Sequence, residues 1–168
     1  LQLIRNAIAK NGKRADYHGL LADMLTTQGD FRGALGSYDK ALKLQPNHQG
    51  VIAGKANTWL RLNEPEKAKK LVAPLVKKGG EDLTISIVFA KALIEDGDPH
   101  GAAEALLHRL PAKNEPLETR RTLYFVLGKA MEKAGEYQSA FEAYEEGNIL
   151  SASNFDLDTC VRGHDDII

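Results

Sequence analysis

The chain has little of what disulfide-built, membrane-spanning or nucleotide-using proteins display. It holds one cysteine, Cys160, which excludes an internal disulfide framework and suits a reducing compartment; a cytoplasmic address is the expectation. Lys and Arg number 22 against 23 Asp and Glu, for a net charge of −1. No overall field therefore draws the chain to nucleic acid or to an anionic membrane, and neither is an expected partner. No apolar run approaches the roughly 20 residues that a bilayer span needs. There is no G-x-x-x-x-G-K, no G-x-G-x-x-G after a strand, and no convincing strand. The five histidines, His18, His48, His100, His108 and His164, make neither a metal-ligand nor a nucleophile pattern. Cys160 and His164 would share a helical face beside Asp165 and Asp166, but a solvated capping helix accounts for that cluster better than a metal site. No catalytic residue, metal ion or cofactor is expected.

What the chain does have is an alanine that returns every 34 residues: Ala34, Ala68 and Ala102, then Ala140 after a four-residue insertion. Each follows a turn, "GDFRGA", "NEPEKA", "GDPHGA" or "GEYQSA". A fixed period of this length marks a stacked-repeat architecture. On a 34-residue frame beginning at Ala15, position 15 is Gly29, Asn63, Gly97 and Gly135. Gly and Asn are the residues that tolerate the left-handed backbone ending a helix. Position 16 is always an acid (Asp30, Glu64, Asp98, Glu136), which suits the positive end of the next helix. Pro65 and Pro99 follow where a missing N–H costs nothing. Each copy thus predicts helix A, a tight turn, then helix B. Apolar residues recur at helical spacing on both, and the repeated alanine lies where two helices approach closely.

These copies resemble tetratricopeptide repeats. Residues 15–48 match that family from end to end, including the closing Pro46, and the fourth copy keeps Leu127, Gly128 and the Gly135-x-Tyr137 turn. Copies two and three depart from it: Ile52 and Ser86 replace the aromatic near the start of helix A, and Leu75 and Arg109 replace a small residue of helix B. The resemblance implies an all-α, right-handed α-solenoid of antiparallel helix pairs, about four and a half repeats long. The expected array covers 1–150, with repeats at 15–48, 49–82, 83–114 and 115–150. Residues 1–14 are expected to be the trailing helix of a truncated repeat, because Ile4 and Ala7 fall on Tyr38 and Ala41 of the frame. In the longer connection 110–116, Asn114 is the expected cap and Pro116 is expected in the first helical turn. Residues 151–168 are expected to form a loop and a polar capping helix.

In tetratricopeptide proteins helix A lines the concave face and supplies the ligand contacts. Frame positions 5, 9 and 13 fall on one stripe of that helix. Position 5 is Gly19, Ala53, Ile87 and Phe125; position 9 is Asp23, Asn57, Lys91 and Lys129; position 13 is Thr27, Arg61, Glu95 and Lys133. The stripe runs from small and acidic to apolar and mainly basic. The expected groove therefore has an apolar anchor at Ile87 and Phe125, flanked by Lys91, Lys129 and Lys133, with Asp23, Asn57 and Arg61 toward its other end. It suits an acidic peptide with one bulky apolar side chain. The clamp by which chaperone-binding relatives hold a terminal carboxylate is not expected, since only Asn57 matches it. The expected function is a non-catalytic scaffold for a protein or peptide, with self-association through exposed array ends as a further expectation. An alternative comes from the last helix. Phe141, Tyr144, Gly147 and Asn148 resemble the junction at which repeats precede a bacterial sulfotransferase domain, which implies an accessory domain whose enzyme lies beyond residue 168.

Overall fold

The computed structural model describes residues 1–79, 82–110 and 115–152. Among them the chain forms α-helices only: α1 (Gln2–Lys10), α2 (Ala15–Thr27), α3 (Phe31–Leu44), α4 (Gln49–Arg61), α5 (Pro65–Lys78), α6 (Leu83–Glu95), α7 (Pro99–Leu107), α8 (Leu117–Lys133) and α9 (Tyr137–Ala152). The architecture is an all-α solenoid. Its expected caps at 151–168, with Cys160 and His164, lie outside the described residues except for the end of α9.

The hairpin turns are built as the chemistry of the repeat requires. Gly29, Asn63, Gly97 and Gly135 all have positive φ, from 58° at Asn63 to 86° at Gly97. The acids that follow then start the next helix. Asp30 accepts from the Gly33 N–H and Asp98 from the Gly101 N–H, both at 2.9 Å, whereas Glu64 makes no side-chain cap. The starts of α4 and α6 are capped too, by His48 Nδ1 accepting from the Val51 N–H at 3.4 Å and by Asp82 accepting from the Thr84 N–H at 2.8 Å. Of the other histidines among the described residues, His18 is buried and donates through Nε2 to the Gly12 carbonyl at 2.9 Å, while His100 and His108 are exposed. His100 lies 3.4 Å from Glu136 and His108 3.9 Å from Glu104.

Two details differ from expectation at the third connection. Pro116 stands at the N-cap of α8 rather than inside its first turn, its ψ of 135° keeping it extended so that the helix begins at Leu117. The four extra residues of the fourth copy lengthen α8 to 17 residues, against 13 in α2, α4 and α6. Meanwhile α7 is only nine residues long. Asn114 lies outside the described residues.

Packing follows chain order, each helix against the next, with a second set of contacts between successive A helices: α2 with α4, α4 with α6, and α6 with α8. The B helices α3, α5, α7 and α9 make no such contacts among the described residues. The A helices thus form the closely spaced inner row. Alanine makes this spacing possible. Ala34, Ala68 and Ala102 are fully buried and Ala140 nearly so, as are Ala22, Ala56 and Ala90 on the A helices. Three apolar clusters stack along the array, around Tyr38, around Val72 and around Leu106.

Candidate binding groove

Along the inner row, equivalent positions of α2, α4, α6 and α8 surround a groove of about 740 Å³. Six of the eight residues expected to form a site line it: Asp23, Asn57, Arg61, Lys91, Phe125 and Lys129. The other two do not. Ile87 is only 3 % exposed and belongs to the apolar core; its edge reaches a smaller neighbouring hollow of about 220 Å³ shared with Asn57 and Lys91. Lys133 is exposed in the last turn of α8, one turn and roughly 6 Å further along the axis than Lys129. The apolar part of the groove comes from Phe125 with Leu60, Ile94 and Val126 rather than from Ile87.

The two ends of the groove differ in charge. At one end Lys91 is half-buried and makes no ion pair among the described residues. Burial, with the like charges of Lys129 and Arg61 nearby, holds its ammonium pKa below the ordinary lysine range. Lys129 leans on Glu95 at 3.2 Å, with both side chains largely exposed. Phe125 packs on α9 with one face, 6.2 Å from the Tyr144 ring between centroids and close against Gly147, and borders the groove with the rest.

At the other end Tyr38, 1 % exposed, threads from α3 to the groove and donates its hydroxyl to Asp23 Oδ1 at 2.6 Å. Burial and the Asp23 carboxylate both raise the phenol's pKa, so it stays a donor. Gly54 on α4 makes room for it: a Cβ there would stand 2.6 Å from the Tyr38 oxygen. Behind it, buried Thr58 donates to the Gly54 carbonyl at 2.9 Å and meets the Thr26 hydroxyl at 3.1 Å. Stripe positions alone miss Tyr38, since it belongs to a B helix; the signal is a bulky B-helix aromatic followed by a glycine on the next A helix.

Among the described residues no three His, Cys, Asp or Glu side chains stand together as metal ligands, and no helix is long and apolar enough to cross a membrane. The model of the tetratricopeptide repeat family matches residues 25–85. A TPR repeat-containing protein of Methanocaldococcus jannaschii is 26% identical over 151 residues, which cover 87% of this chain and 26% of that protein. The chain thus spans about a quarter of that relative's length. MamA from Desulfovibrio magneticus, residues 41 to its end, has the same fold, with a TM-score of 0.68 at 18% identity, covering 92% of this chain and 85% of that one. YrrB, described as a TPR protein with an unusual peptide-binding site, gives a TM-score of 0.56 at 16% identity over 90% of this chain and 93% of its own. The family match is to residues 25–85, and the solved structures share the fold of the array.

Proposed function

We propose that this tetratricopeptide-type array is a protein-interaction scaffold whose A-helix groove holds an acidic peptide with one bulky apolar side chain. Lys91 carries the proposal. A half-buried ammonium beside two other cations, with no ion-pair partner among the described residues and the groove's Glu95 taken up by Lys129, is unfavourable in the unbound protein and is relieved by a ligand carboxylate. Phe125, Leu60, Ile94 and Val126 give the neighbouring apolar side chain a surface. A neighbour of the same fold, YrrB, is described as having a peptide-binding site, which agrees with this class of function. Reversing charge at Lys91 and Lys129 together should weaken capture of an acidic, leucine-containing peptide by about tenfold or more while the helical circular dichroism stays unchanged. Unchanged capture would remove the groove from the account.

A second proposal rests on α9, where Phe141 and Ile149 are 64 % and 56 % exposed. This face fits an accessory domain leaning on a following sulfotransferase domain, as the Phe141, Tyr144, Gly147, Asn148 helix implies. Coding sequence 3′ of codon 168 tests it: a phosphosulfate-binding loop supports the accessory role, and its absence removes it. Tyr144 and Gly147 already have packing partners in Gly128 and Phe125, which accounts for half of that motif without any enzyme. The same exposed face would let arrays associate end to end. Sedimentation velocity reads this directly, and a monomer at every concentration contradicts it.

A further inference from the structure

We propose that the groove is bipolar: its ligand places a basic side chain on Asp23 and, about five residues away, its acidic side chain on Lys91. This rests on the peptide-binding role proposed above and adds charge order to it. Four observations carry it.

First, Asp23, Asn57, Lys91 and Lys129 occupy one register position on α2, α4, α6 and α8, so along the groove that position passes from acid through neutral to base, with Arg61 adding a cation beside Lys91 and Glu95 paired to Lys129. Second, neither Asp23 nor Lys91 has an oppositely charged partner among the described residues; Arg61, beside Lys91, has none either, whereas other charges along the array do. Glu95 pairs with Lys129, Asp39 with Lys55, and Asp16 with Arg14 and His48. Third, Asp23 is positioned rather than adrift. The buried Tyr38 hydroxyl holds Oδ1, while Oδ2 takes no hydrogen bond from any described residue. A carboxylate fixed through one oxygen presents the other to a ligand ammonium or guanidinium. Fourth, the spacing fits an extended peptide. Neighbouring helix axes lie about 8–10 Å apart, so α2 and α6 are separated by roughly 16–20 Å, less on the inner side of a curved array. At about 3.3 Å per residue that distance takes about five residues of extended chain. An acid-only ligand long enough to fill the groove would be repelled at Asp23, which gives the site a means of rejecting uniformly acidic chains.

The test uses fluorescein-labelled hexapeptide amides of sequence Lys-Ala-Leu-Ala-Ala-Glu, with one version carrying norleucine for the Lys and another Gln for the Glu. The protein should bind the parent peptide about three- to tenfold more tightly than the norleucine version. Asp23→Asn should abolish that difference and leave the norleucine peptide's Kd unchanged; Lys91→Met should abolish the difference between the Glu and Gln peptides. Equal binding of the Lys and norleucine peptides, or a difference that survives Asp23→Asn, overturns the bipolar site. If the Glu-over-Gln preference still depends on Lys91, the acidic-peptide groove outlives that failure. If the parent peptide does not bind at all, or Lys91→Met changes nothing, both proposals fall.

Discussion

Leu106→Ala should lower the unfolding free energy by about 2–5 kcal/mol, the range for emptying a fully enclosed leucine site. Leu106 has no solvent exposure and lies in the cluster that joins α6, α7 and α8, with Leu93, Ile94, Leu123 and Leu127 among its members. The site has little freedom to collapse. With only nine residues, α7 is the shortest element of the array beside α1, and its buried residues are Ala102, Ala103 and Leu106, so one side chain supplies most of its apolar volume. In a repeat protein each layer is stabilised by its immediate neighbours. The damage should therefore appear as a weakened junction between the third and fourth hairpins and a less cooperative transition. Urea unfolding followed by circular dichroism reads both; a loss below about 1 kcal/mol would mean that α7 is not held as described.

Gly128→Ala should cost about 1–3 kcal/mol by overpacking. An added Cβ would stand 2.6 Å from two carbons of the Tyr144 ring, inside the contact between α8 and α9. The ring cannot retreat without losing its hydroxyl's 2.7 Å bond to Glu132 and its packing against Phe125. Tyr144 also supplies a second readout. Burial and the Glu132 carboxylate push its pKa up to about 12 from the ordinary 10.0. Because the folded state keeps a proton that the unfolded chain releases, this contribution to stability is intact below pH 10 and is lost as pH rises from there through the folded pKa. In Gly128→Ala the phenolate absorbance should develop at lower pH than in the parent, and Tyr144→Leu in the same chain should recover part of the stability. An unchanged phenol titration together with parental stability would contradict the close approach.

How much of this was readable from the sequence depends on whether a feature repeats. The turns at Gly29, Asn63, Gly97 and Gly135 were readable because one backbone requirement returns with the period. The period even overrides a local rule: Pro74 lies inside α5, where propensity alone would end a helix. Six groove residues were readable because helix A keeps its face from copy to copy. Ile87 was misleading because frame position 5 is buried in the first three copies, as Gly19, Ala53 and Ile87, and only Phe125 of the last A helix keeps part of its surface in the open. In the third copy α6 is packed between α4, α5, α7 and α8 and draws that side chain into the core. Lys133 shares a stripe with Lys129 but lies beyond the groove's end, and a stripe does not state where a groove stops. Tyr38 was hidden because it belongs to helix B and reaches the inner face only past Gly54, a pairing between copies that position-by-position comparison passes over. The placement of the four extra residues in α8 was equally hidden, since a loop and an added helical turn satisfy the same count.

If Lys91 is kept for a ligand at a cost to the fold, Lys91→Met should change stability and peptide capture in opposite directions when both are measured on the same sample. The depressed pKa of Lys91 means that the unfolded chain binds this proton more strongly than the folded one. The penalty is therefore full at neutral pH and fades as pH rises through the folded pKa toward the ordinary lysine value of 10.5. Lys91→Met should unfold at a higher temperature near neutral pH, with a gain of about 0.5–1 kcal/mol that shrinks at alkaline pH, while its affinity for the acidic peptide falls. A variant that is less stable and binds the peptide as well as the parent would mean that Lys91 is an ordinary structural lysine with no part in peptide binding.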